Sequence, residues 1–167
     1  MTDQTQEVYG WHVVSVHENV VAHLSRDLEH VEVTAGLTVT MPREEVVGIA
    51  ADGICGPGLY MSRDIVDALT YAPNGEIAIC RVLTTASAIV QEDEGKLVTT
   101  ERTVVAMLDA KETRRVLVKW AVWCAEQALA LVNEPDQRSV EALETTKRWM
   151  EGEATQGKLE AARAADD

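Results

Sequence analysis

Apolar residues come in short runs and alternations over the first hundred or so positions, and at spacings of three and four from position 109 onward. The first pattern belongs to strands and the second to helices. Val8–Val16 (VYGWHVVSV) is rich in β-formers and predicts a first strand, with Trp11, Val13 and Ser15 on one face and His12, Val14 and Val16 on the other. Residues 31–41 alternate apolar with polar around Gly36, which predicts a second strand or a hairpin with a bend. After the turn-rich Gly53–Gly58, Ser62 is expected to cap a short helix running to Tyr71, and Pro73-Asn74-Gly75 ends it. Strands follow at Glu76–Leu83, Ser87–Val90 and Arg102–Leu108, with an acidic loop over Gln91–Gly95 between the last two.

From Asp109 the period changes. Asp109 and Glu112 form a capping-box-like start, with Asp in place of Ser or Thr. The helix that follows carries Val116, Leu117, Trp120, Trp123, Cys124, Ala128 and Leu131, and is apolar on most of its circumference. Such a helix is expected to be central and buried on more than one face. Pro135 breaks it, a second helix covers Gln137–Glu151, and Gly152 stops that one. The Ala-rich residues 155–165 form a last helix or a frayed tail. The expected architecture is α+β: a small mixed or antiparallel sheet module over residues 1–108, then a helical hairpin and C-terminal tail over 109–167, packed on it.

Charge narrows the choice of partners. The 167 residues hold 15 Lys and Arg against 28 Asp and Glu, a net charge of −13. Residues 1–110 carry 6 basic and 17 acidic side chains (−11), residues 111–132 carry 4 and 2 (+2), and residues 133–167 carry 5 and 9 (−4). An acidic module argues against direct binding to nucleic acid, which rests on Lys and Arg contacts to phosphate, and favours a basic protein surface. Met1–Glu7 has no basic or apolar signal region, and Val116–Val132 is too short and too charged to span a bilayer. Three widely spaced cysteines, Cys55, Cys80 and Cys124, suggest free thiols, so a cytoplasmic protein with no membrane contact is expected.

One stretch points to chemistry. Gly56-Pro57-Gly58-Leu59-Tyr60, a short helix to Tyr71, and the strand EIAICRV resemble ADP-ribosyltransferases of the poly(ADP-ribose) polymerase type, in which two tyrosines stand eleven residues apart. The resemblance covers about 30 residues and implies NAD as cofactor. It also implies a first-strand histidine on the ribose, two tyrosines around the nicotinamide, and a glutamate opening a later strand to stabilise an oxocarbenium-like transition state. The matching positions are His12, Tyr60, Tyr71 and Glu101, with Gly58 and Ser62 as cofactor contacts. Two departures stand out: His12 is followed by Val13 and Val14 where the family has Gly and Ser or Thr, and the interval from Tyr60 to Glu101 is short.

Residues 114–154 carry a second resemblance. Trp120-Ala121-Val122-Trp123-Cys124-Ala125-Glu126, then Pro135-Asp136-Gln137-Arg138, then Lys147-Arg148-Trp149-Met150-Glu151-Gly152-Glu153 is similar, in order and in kind, to the helical element of immunity proteins. That element implies a fold and carries no catalytic chemistry. The layout of G-L-Y-x-S, A-L-x-Y-A and this hairpin is also similar to proteins of actinobacteria and their phages.

Other chemistry finds little support. His12, His17, His23 and His30 cluster near the N-terminus without metal-ligand spacing, and no C-x-x-C or H-E-x-x-H occurs, so no metal is expected. Cys55, between Ile54 and Gly56, is a candidate nucleophile, with burial as a small hydrophobe as the plainer reading. No phosphate-binding glycine motif is present. Three readings stand. The first is an acidic interaction or inhibitor protein of the immunity or anti-defence kind, of phage or bacterial origin, binding a basic partner. The second is an NAD-dependent ADP-ribosyltransferase-like enzyme or a degenerate relative. The third is a structural accessory protein.

Overall fold

A computed structural model describes residues 5–17, 20–25, 28–50, 55–153 and 157. The chain divides into two compact units, Met1–Thr113 and Arg114–Asp167, five residues beyond the boundary expected from the change of period. The fold is α+β.

In the first unit the strands are β1 (Glu7–His17), β2 (Val20–Ser25), β3 (Leu28–Glu32), β4 (Thr38–Thr40), β5 (Leu59–Met61), β6 (Ile77–Thr85), β7 (Ile89–Asp93), β8 (Lys96–Thr99) and β9 (Glu101–Leu108). Six of them make one antiparallel sheet in the order β3-β2-β1-β6-β9-β4, and β5-β8-β7 make a second. The spine is the pairing of β1 with β6, unbroken from Glu7 opposite Thr85 to Ser15 opposite Ile77. Val14 of β1, Ala78, Cys80 and Val82 of β6, and Val104 of β9 form one buried cluster with Met61 of β5 and Leu97 of β8. The smaller sheet is thereby fixed onto one face of the larger one, each buried methylene contributing about 0.8 kcal/mol.

Two local expectations are corrected. Ser62 caps no helix: it is buried and bridges Trp11 of β1, each backbone N–H donating to the other's carbonyl (2.7 and 2.9 Å). The helix α1 (Ile65–Thr70) is capped by Asp64, whose carboxylate accepts from the Val66 N–H at 2.7 Å. The acidic stretch after Val90 is no loop. Gln91–Asp93 extend β7, and the turn at Glu94-Gly95, with Gly95 at φ +72°, leads straight into β8. Gly95 permits that tight reversal because a left-handed φ costs it no Cβ clash.

The capping box is present. The Glu112 N–H donates to Asp109 Oδ1 at 2.7 Å, and the Asp109 N–H reaches Glu112 Oε2 at 3.4 Å. It opens α2 (Ala110–Ala130). Thr113, fully buried, receives the Ile79 N–H on its hydroxyl and donates that hydroxyl to the Leu108 carbonyl, which secures the first turn within unit one.

In the second unit α2 is followed by α3 (Gln137–Met150), capped by Asp136. Lys147 bridges the two helices, reaching Glu126 of α2 and Glu144 of α3 at 2.8 Å each, and Arg114 lies over the Trp149 ring. Val118, Ala121, Val122 and Ala125 face Ser139, Ala142, Leu143 and Thr146 across a small cavity. On the side of α2 turned away from α3, Val116, Trp120 and Trp123 are each about half exposed. Gly152 closes α3 at φ +80°. The last helix expected over 155–165 lies outside the described residues, apart from Gly157.

Candidate functional site

A cavity of about 250 Å³ lies in the first unit where β1, β5, α1 and β8 meet. Its position follows from the pairing of β1. On the side away from β6, that strand is held by Ser62 at Trp11 and again by β2 from Ser15 onward. Between these points no described strand covers its edge, and Trp11, His12 and Val13 line the opening.

Gly10 allows the bridge to Ser62 to form. A Cβ there would meet the Met61 side chain and stand 2.6 Å from the Ser62 carbonyl oxygen. Tyr60, Met61 and Ser62 supply the second wall, and Ala68 and Tyr71 of the α1 segment the third. Cys55 and Lys96 complete the lining.

Tyr60 is held from both ends. Its hydroxyl points at the carbonyl oxygens of Gly48 (2.9 Å) and Gly56 (2.7 Å), so one phenol fastens two loops. Burial, with Cys55 alongside, pushes that phenol up to about 12. The Tyr60 carbonyl accepts from Nη1 of Arg102, whose side chain is fully buried on β9. Burial brings the Arg102 guanidinium down to about 10, so it is still charged at neutral pH. Lys96 Nζ sits 3.6 Å from the centroid of the Tyr71 ring and donates to Cys55 Sγ at 3.1 Å. Among the described residues Lys96 forms no ion pair.

Of the residues singled out from the sequence, His12, Tyr60, Tyr71 and Ser62 line this cavity. Glu101 does not. It opens β9 opposite Thr40 of β4, and its carbonyl accepts the Thr84 hydroxyl at 2.7 Å. Gly58 is buried behind the wall, where a Cβ would press 2.8 Å from Val98. Cys55 lines the cavity, Cys80 is buried in the core and Cys124 is exposed on α2, all three as free thiols. The side chains of His17, His23 and His30 lie outside the described residues, and no cluster of three metal-ligating side chains occurs among those described.

The sequence offers Lys96 only as one of six cations of residues 1–110 that could meet a dinucleotide's pyrophosphate, and does not place it beside the tyrosines. It lies 25 residues after Tyr71, beyond an acidic stretch read as a loop, and no local pattern marks it. A β-hairpin reading of Asp93-Glu94-Gly95-Lys96 would have turned the chain back and brought Lys96 into view.

Among the described residues no helix is long and apolar enough to cross a membrane. No curated protein and no solved structure compared with the chain matches it. Its helical segment is similar to immunity proteins: residues 108–165, about a third of the chain, match the family described as Imm-5 like putative immunity protein.

Proposed function

We propose that the protein is of the immunity type and acts by binding a protein partner, with its acidic first unit meeting a basic surface on that partner in a bacterial or phage-infected cytoplasm. The family match over residues 108–165 carries this reading. Two features support it. The α2 face turned away from α3 exposes Trp120 and Trp123, a residue type enriched at binding hot spots. Residues 1–113 hold 7 basic and 18 acidic side chains, a net −11, which favours encounter with a basic partner.

The test is capture with the full chain from a bacterial lysate across a salt series. One stoichiometric partner, released at high salt and lost with Trp120→Ala or Trp123→Ala, is the expected result. A partner retained at high salt would remove the basic-surface element, and capture indifferent to both tryptophans would remove the α2 face.

A second reading is favoured by one observation, the convergence of His12, Tyr60 and Tyr71 on a single cavity. In it the first unit is a degenerate ADP-ribosyltransferase-like module that keeps a ring-binding cavity without turnover, since Glu101 stands apart from that cavity. NAD is then expected to raise the thermal midpoint without transfer of label to protein or nucleic acid. Label transfer that is lost in Glu101→Gln would establish an enzyme instead.

A further inference from the structure

The cavity of the first unit has a chemical character of its own. Its walls are mostly aromatic and aliphatic, Trp11, Tyr60 and Tyr71 with Val13, Met61 and Ala68, and His12, Ser62 and Cys55 add polar groups. Among the described residues no carboxylate lines it, and the one ammonium is Lys96. An ammonium has three N–H donors. Here it meets a sulfur and the face of a ring, both weaker partners than a carboxylate. A positive charge is thus held at an apolar chamber in a unit whose net charge is strongly negative.

The rim adds a second donor. Trp11 turns its N–H and C=O to Ser62, away from β6, and backbone groups alternate sides along a strand. The Val13 N–H therefore points to the same edge, which no described strand covers. At about 250 Å³ the chamber has room for one ring, since roughly 150 Å³ suffices for benzene.

We propose that this cavity binds a small monocyclic aromatic carboxylate, the ring seated among Trp11, Tyr60 and Tyr71 and the carboxylate paired with Lys96. The inference uses the cavity of the second reading above and is independent of partner binding by the helical unit. It departs from NAD as the ligand. The nicotinamide ring of NAD is cationic, and the Lys96 ammonium, 3.6 Å from the centroid of the Tyr71 ring, would repel it there.

The experiment titrates benzoate, nicotinate, benzamide, nicotinamide and NAD into the full chain, followed by amide NMR shifts and calorimetry. Benzoate and nicotinate are expected to shift the Val13 and Ser62 amides and to bind at least ten-fold more tightly than the two neutral amides. Lys96→Met is expected to remove that ten-fold preference, and Lys96→Arg to retain it. The native amide spectrum of each variant reports that it is folded. Equal binding of acid and amide, benzoate binding unaltered by Lys96→Met, or no binding of either acid would overturn the proposal. Tighter binding of NAD than of benzoate would also overturn it while sustaining the second reading. Loss of the protein partner leaves these titrations untouched, so the two ideas fail separately.

Discussion

The guanidinium of Arg102 donates from Nη1 to the backbone carbonyl of Tyr60, and with a side chain 2% exposed it ties β9 to the wall of the cavity from beneath. Replacing it by Met strands that carbonyl, at a cost of about 1–3 kcal/mol, while relieving part of the cost of burying a charge. Arg102→Met is expected to lower the urea midpoint and to weaken binding of any ring ligand that rests on Tyr60. Unchanged stability would mean that the buried charge costs as much as its hydrogen bonds contribute.

Gly10→Ala places a methyl against the Ser62 carbonyl and the Met61 side chain. Met61 can swing away, but backbone cannot. The Trp11–Ser62 bridge must then open, and overpacking of this kind costs about 1–3 kcal/mol. The expected readouts are faster hydrogen exchange at the Ser62 amide and a lower thermal midpoint, with α3 unaffected.

Cys80 sets an alkaline limit on stability. Burial pushes its thiol up to about 11, whereas in the unfolded chain it ionises at its ordinary value of 9.0. A raised acid favours the folded state below pH 9, and that contribution is lost as pH rises from 9 to 11. At 1.36 kcal/mol per pK unit the loss approaches about 2–3 kcal/mol. Arg102 works in the opposite sense, but from about pH 10 upward, because its folded value is lowered. Urea unfolding between pH 8 and 10 isolates the thiol: wild type should weaken across that range, and Cys80→Ala, though less stable overall, should have a flatter profile.

Trp123 on α2 should matter to a partner and little to the fold. It is 57% exposed, on the side turned away from α3. Trp123→Ala is expected to leave helicity intact and to weaken a captured partner by about 2 kcal/mol, roughly thirty-fold, as aromatic hot spots do. Loss of helicity would assign the residue to the core of the hairpin.

Much of the helical unit was legible in the order of its residues, because the signals that set it are local. Asp109 and Glu112 meet within one turn, Asp136 caps the helix that follows it, and Gly152 takes the left-handed conformation that ends it. The separation of Tyr60 and Tyr71 was equally plain, and both do face one cavity. Ser62 misled because a serine before a helix resembles a cap. The Asp64 carboxylate took that role, leaving Ser62 to bridge β1.

By itself the sequence determined the α+β class, the concentration of acidity in the first unit, the capped helical hairpin and the two-tyrosine segment, since each depends on residues within a few turns or on simple counting. Tertiary structure alone decided that His12 joins the tyrosines while Glu101 does not, that Arg102 supports Tyr60 from below, and that Lys96 stands over Tyr71. Those relations depend on strand order and register, which bring together residues 25 to 60 positions apart. A pattern confined to neighbouring residues contains no record of which strands will pair.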